Sequence, residues 1–115
     1  MPLLLRQIAS ARSGDKGNHA NIAVVAYTRA GYDFLQQELT AERVGAYFTT
    51  LGHTGVERYE LPLVDALNFV LRNALAGGAS TSPRIDTQGK LLGTAILELS
   101  LPVPADLGLL LPPTS

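Results

Sequence analysis

The stretch Ser13-Gly14-Asp15-Lys16-Gly17-Asn18-His19-Ala20-Asn21 places a hydroxyl, an acid, a base, two amides and an imidazole within nine positions. Seven consecutive polar or glycine residues, Ser13 to His19, interrupt a chain that is 46% hydrophobic. Gly14 and Gly17 permit positive φ, which lets successive backbone N–H groups converge into an anion-binding nest. Lys16 would add a point charge, and Ser13 and Asn18 neutral hydrogen bonds. An anionic group, a carboxylate or a phosphate, is the ligand this composition suits. The GxxxxGK[ST] phosphate loop is absent, and no helix clearly follows. The same residues also fit a loop that satisfies itself, with Asp15 paired to Lys16 or a neighbour and Asn21 capping backbone groups.

Two more residues extend this candidate ligand-binding set. Asn68 reads as mid-helical, where asparagine is mildly unfavourable. It shares a polar stripe with Asp65 and Arg72 that either faces solvent or lines one site with the polar loop. Arg84 is either a surface arginine or a guanidinium clamp for a carboxylate. The only two histidines, His19 and His53, lack the companions that a metal site needs, so neither metal nor cofactor is expected. Ser13, Asp15 and His19 are the residue types of a triad, but triads draw on separately positioned elements, and the GxSxG elbow is missing. Tyr47 and Tyr59 read as core or edge aromatics. No catalytic residue is assigned.

The elements that must position these residues follow from periodicity. Residues 3 to 12 alternate as a strand, and 20 to 27 are apolar on both pleat faces, as in a central strand. The two make a hairpin whose loop is longer than a minimal turn requires. From Tyr32 the period becomes helical, with Phe34, Leu35 and Leu39 on one face. Thr40 can N-cap a second helix, with Glu42 in its first turn, Val44, Tyr47, Phe48 and Leu51 as its stripe, and Gly52 as its stop. Residues 56 to 61 read as a half-exposed strand near a sheet edge. A third helix is predicted from Pro62, with Leu63, Leu67, Val70, Leu71 and Ala74 as its buried stripe, ending at Gly77-Gly78. A link at Ser80, Thr81 and Ser82, a short strand around Arg84 to Asp86, a turn at Gln88-Gly89 and a last strand over 92 to 101 complete the order ββααβαββ.

That order predicts an α+β sandwich, an antiparallel or mixed sheet with helices on one face. The 115 residues suffice for one core, assigned to residues 1–101. The tail 102–115 carries Pro102, Pro104, Pro112 and Pro113, which bar it from extending a helix or central strand. Its leucines Leu107, Leu109, Leu110 and Leu111 must bury on their own domain or on a partner. A net charge of −1 with nine scattered Lys and Arg residues excludes the clustered cations of a nucleic-acid interface. Cysteine is absent, which removes disulfides and thiolate chemistry. Leu3-Leu4-Leu5 is too short for a signal-peptide core, and no window approaches the roughly 20 apolar residues that span a bilayer. A cytoplasmic protein without membrane contact is expected.

Several separated segments carry a family resemblance. Ala11-Arg12-Ser13-Gly14-Asp15-Lys16-Gly17-Asn18 with Ala20-Asn21-Ile22, Glu57-Arg58-Tyr59-Glu60-Leu61-Pro62, Ala66-Leu67-Asn68-Phe69-Val70-Leu71, Ala74-Leu75-Ala76-Gly77-Gly78, and Arg84 with Asp86-Thr87-Gln88-Gly89-Lys90 occur in that order. Together they resemble the AtuA-like C-terminal domain of the acyclic-terpene-utilisation protein family, over about residues 4 to 101. The resemblance implies a ferredoxin-like fold. It also implies a domain either fused behind a larger one or separately encoded, linked in its fused members to catabolism of terpenoid acids through CoA thioesters. The departures are His19, where many relatives carry an acid, and Ala79, where a third glycine is common.

Three functional readings follow. The first is an accessory or ligand-binding module, the separate partner of a larger AtuA-like protein, that holds an anionic acyl or CoA-type group at the polar loop. The second is a stand-alone lyase or hydratase of acyl thioesters, with Asp15 or His19 as base and Lys16 stabilising charge. The third is a homo-oligomeric structural protein with the loop buried between subunits.

Overall fold

In the computed structural model, which describes residues 2–17, 19–49, 53–74 and 92–112, the apolar N-terminal run splits in two. A short strand β1 (Leu3–Leu4) leads into a 3-10 turn (Leu5–Gln7), closed by the Leu4 N–H donating to the Gln7 side-chain oxygen at 2.8 Å. Strand β2 (Ala9–Lys16) and strand β3 (His19–Ala26) follow. Their register runs from Ala9 opposite Ala26 to Lys16 opposite His19. The register leaves two positions between the strands, and the first of them, Gly17, has φ +62°, the left-handed geometry that a two-residue hairpin favours. The long polar loop read from the sequence is mostly ladder. Polar side chains leave backbone pairing untouched, so the strands continue through them to the tip.

Helix α1 (Arg29–Glu38) starts three residues before the helical period becomes evident, because Thr28 caps it by accepting from the Gly31 N–H. Thr40 caps helix α2 (Ala41–Tyr47) as its sequence predicts, accepting from the Arg43 N–H, with Glu42 in the first turn. Strand β4 (Gly55–Leu61) is the expected edge strand.

The predicted third helix is a strand. Pro62–Val64 forms one 3-10 turn, Asp65 takes left-handed φ of 54°, and β5 (Ala66–Arg72) returns antiparallel to β4. Leu67, Phe69 and Leu71 are buried on one pleat face. They fit a period of two better than the helical stripe that groups Leu67 with Val70 and Leu71, and short apolar runs satisfy both templates. The predicted last strand over 92 to 101 is likewise helical in its first half. Residues 92–96 form α3, and only β6 (Ser100–Leu101) is extended, pairing with β1. A one-turn helix, α4 (Leu107–Leu110), lies in the tail. Leu51, Gly52, Gly77-Gly78, Ala79, the Ser80 to Ser82 link, the strand around Arg84 to Asp86 and the turn at Gln88-Gly89 fall outside the described residues.

The principal sheet is antiparallel with strand order β2-β3-β5-β4. One face packs on the helices through Ile22, Val24, Phe69, Leu71, Leu35 and Val44, all buried. Each such side chain removed from water contributes about 1.5–3 kcal/mol. The result is an α+β, ferredoxin-like two-layer sandwich with its helices on one side. The tail packs on its own domain through Leu110 in the core, the partly buried Leu107 and the Leu109 carbonyl, which accepts from Thr28 Oγ1 at 2.9 Å, whereas the side chains of Leu109 and Leu111, expected to bury, stay exposed. Among the described residues no helix is long and apolar enough to cross a membrane.

Candidate functional site

Pleating divides the sheet residues into two sets. Ala20, Ile22, Val24 and Ala26 on β3 lie in the core with Leu67, Phe69 and Leu71 on β5. The alternate residues form the opposite face: Ser10, Arg12 and Gly14 on β2, His19, Asn21, Ala23 and Val25 on β3, Asn68, Val70 and Arg72 on β5, and Glu57, Tyr59 and Leu61 on β4. These residues are half-buried or exposed, and only the small Ala66, which shares their face opposite Val25, is buried. Val25, Tyr59 and Leu61 are exposed on this face, and Leu63 and Val64 continue the apolar patch around the β4–β5 turn.

A polar cluster occupies one end of the open face. The Tyr59 hydroxyl donates to Glu57 Oε1 at 2.7 Å, and Arg72 Nε donates to Glu57 Oε2 at 2.9 Å. The Tyr59 bond, then Arg72, hold the Glu57 carboxyl below the usual carboxylate range, with a smaller contribution from His19. The bond to Glu57 pushes the Tyr59 phenol up. His19 Nδ1 accepts from the Asn73 N–H at 3.0 Å, and the Asn73 amide donates to Thr54 Oγ1 at 3.0 Å. Asn73 sits at φ 57°, a left-handed turn position that asparagine tolerates.

The residues singled out from the sequence separate into groups. Ser13 lies on the core side, where its Oγ accepts from the Gly93 N–H of α3 at 2.7 Å. It thereby ties the hairpin to a helix. Gly14 is extended and paired with Asn21, and only Gly17 of the two hairpin glycines has positive φ. The two-glycine nest is therefore not the geometry of this hairpin, because alternating strand amides point to opposite edges. Asp15 and Lys16 are described in their backbone, which pairs with Ala20 and His19. Asn18 and Arg84 lie outside the described residues. Asn21 and Asn68 do come together, as diagonal neighbours on the two central strands of the open face, opposite Val70 and Ala23. Asp65 leaves the expected stripe with Asn68 and Arg72, pairing instead with Arg29 at 2.7 Å.

Glu57 and Tyr59 lie outside the candidate ligand-binding set of the sequence. Their signal was the alternation Glu57, Tyr59, Leu61, which puts all three on one face of a strand. His53 is structural, since its Nδ1 accepts from the Gly55 N–H at 3.1 Å while Nε2 contacts the Gly45 carbonyl at 2.9 Å. A separate groove of about 530 Å³ runs between α1 and the tail, lined by Phe34, Val103 and Leu110 among others. Its charged residues, Asp33, Glu38 and Asp106, are all acidic, the wrong sign for an anionic acyl group. Among the described residues no group of three or more His, Asp or Glu could hold a metal ion.

Compared with known proteins, the chain matches the family model described as the AtuA ferredoxin-like domain over residues 3–102. No curated protein and no solved structure matches it.

Proposed function

The chain belongs to the AtuA ferredoxin-like domain family, and from that premise we propose that it is an accessory module that docks its open sheet face on a larger AtuA-like protein acting in acyl or terpenoid-acid catabolism. The observation that carries this reading is the exposure of Val25, Tyr59 and Leu61 on a sheet whose other face is fully used by its own helices. Exposed apolar side chains rimmed by polar ones are the composition of an interaction surface. Tyr59 and Arg72 are residue types enriched where binding energy concentrates. In this reading the hairpin end meets the partner, and Lys16 supplies positive charge for an anionic acyl or CoA-type group held between the two chains.

Co-expression of the chain with a larger AtuA-like protein tests the docking half. Co-purification is expected, and Val25→Glu and Leu61→Glu should each abolish it without changing the far-UV circular dichroism of the chain. Association that is absent, or that both variants retain, overturns the proposal. For the ligand half, Lys16→Ala should weaken CoA-thioester retention by the assembled pair while leaving co-purification intact.

A further inference from the structure

We propose that the chain also forms a symmetric dimer by pairing strand β4 with β4 of a second copy, extending the sheet about Tyr59. This edge borders the open face and shares Tyr59 and Leu61 with it, while Val25 on β3 lies away from it. The inference starts from the ladder phase. The Ala26 N–H donates to the Asp65 carbonyl at 2.9 Å, so with strict alternation the odd-numbered residues of β5 bond toward β3 and the even-numbered ones toward β4. Opposite them, residues 57, 59 and 61 turn their backbone groups inward, and Val56, Arg58 and Glu60 turn theirs outward. Among the described residues, no backbone group bonds to these outward amides and carbonyls. The other sheet edge is closed off, because Gly93 of α3 packs against the backbone of Arg12 and Ser13. An unpaired edge is a template for another strand.

Charge selects the occupant and the register. Residues facing each other across a continuous antiparallel sheet must lie on the same face, which allows only pairings of equal parity. Centring the two-fold on Arg58 sets Arg58 against itself, and centring it on Glu60 sets two carboxylates together. Centring it on Tyr59 sets Arg58, which already bridges Glu60 of its own chain at 2.9 Å, opposite Glu60 of the second copy, twice by symmetry, so that the two intrachain pairs join into one ring of alternating charge. It also places the two Tyr59 rings side by side at a non-hydrogen-bonded pair, where cross-strand side chains come closest. Charges usually guard an edge against pairing, but opposite charges two residues apart make this edge complementary to its own antiparallel copy. The interface is isologous and closes at two chains.

Sedimentation equilibrium reads the result. The wild-type chain is expected to have the mass of two chains. Glu60→Pro, which removes an outward N–H at an edge position where proline is tolerated, should halve that mass with unchanged circular dichroism. Glu60→Arg, which sets arginine opposite Arg58, should do the same and serves as the readout if the proline chain fails to fold. Val25→Glu should leave the dimer intact, separating this edge from the docking face. A wild-type monomer, or a dimer that survives Glu60→Arg, overturns the proposal.

Discussion

At the scale of single residues, side chains with a visible chemical personality turn out to divide between structure and surface. Ser13 is spent on the Gly93 amide, and Gly93 has no room for more. A Cβ built there would meet Ser13 N at 3.0 Å and the Arg12 carbonyl carbon at 3.1 Å, both backbone atoms that cannot swing aside. Gly93→Ala should therefore destabilise the chain by about 1–3 kcal/mol through overpacking, read by urea denaturation. Ser13→Ala, which leaves a buried N–H without that acceptor, should lose about 1–3 kcal/mol. Glu57 behaves differently because it is half-buried on the open face and held by its partners. Its carboxyl titrates below its unfolded value, so its stabilising contribution is complete above the ordinary carboxylate range and disappears as pH falls through the depressed value. The Tyr59 phenol is raised, so its contribution is present below the ordinary phenol value and disappears as pH rises through the folded one. Tyr59→Phe should move the Glu57 titration upward, toward the unperturbed carboxylate, in a carbon-detected NMR titration. An unmoved Glu57 would mean that Arg72 alone sets it.

At the scale of elements, what could be read from the sequence depended on whether a local signal was also the deciding one. Thr40 and Glu42 announce α2 because a cap is a local hydrogen bond, and β4 is legible because Glu57, Tyr59 and Leu61 alternate with Val56, Arg58 and Glu60. Residues 66–72 are not legible in the same way. Leu67, Val70 and Leu71 satisfy a helical stripe, while Leu67, Phe69 and Leu71 satisfy a strand, and the choice is made by β3 and β4 on either side. Asn68 changed meaning with it. The oddity of an asparagine in a helix became a polar side chain beside Asn21 on a sheet face, a neighbour that no spacing rule links to it. The strand assignment has a sharp consequence, since the Val70 N–H faces β4 in the middle of the sheet. Val70→Pro should prevent folding, because a central ladder bond is lost, whereas Glu60→Pro at the edge should not. Phe69→Ala should cost about 3–5 kcal/mol, measured by the same denaturation. Comparable stability of the Val70→Pro and wild-type chains would sink the strand assignment.

At the scale of the whole molecule, the open face, the outer edge of β4 and the tail are three surfaces that fall to different tasks. The tail is the one the domain uses for itself. Thr28 Oγ1 accepts from the Gly31 N–H at 2.9 Å and donates to the Leu109 carbonyl at 2.9 Å, so one hydroxyl both caps α1 and holds the returning chain. Leu110 is buried beneath it, and the backbone comes close to Gly31, whose added Cβ would lie 3.6 Å from the Leu110 carbonyl oxygen. Leu110→Ala should then cost about 2–5 kcal/mol, and Thr28→Val should lower stability by removing both bonds, while Thr28→Ser retains them. Neither change touches β4 or the open face, so neither should alter the sedimentation mass or the capture of a larger partner under conditions where the chain is folded. If shortening the chain before Leu107 dissociated the dimer while leaving the circular dichroism intact, the tail would be an intermolecular arm. The Thr28 and Leu110 contacts would then belong to a second copy rather than to one folded chain.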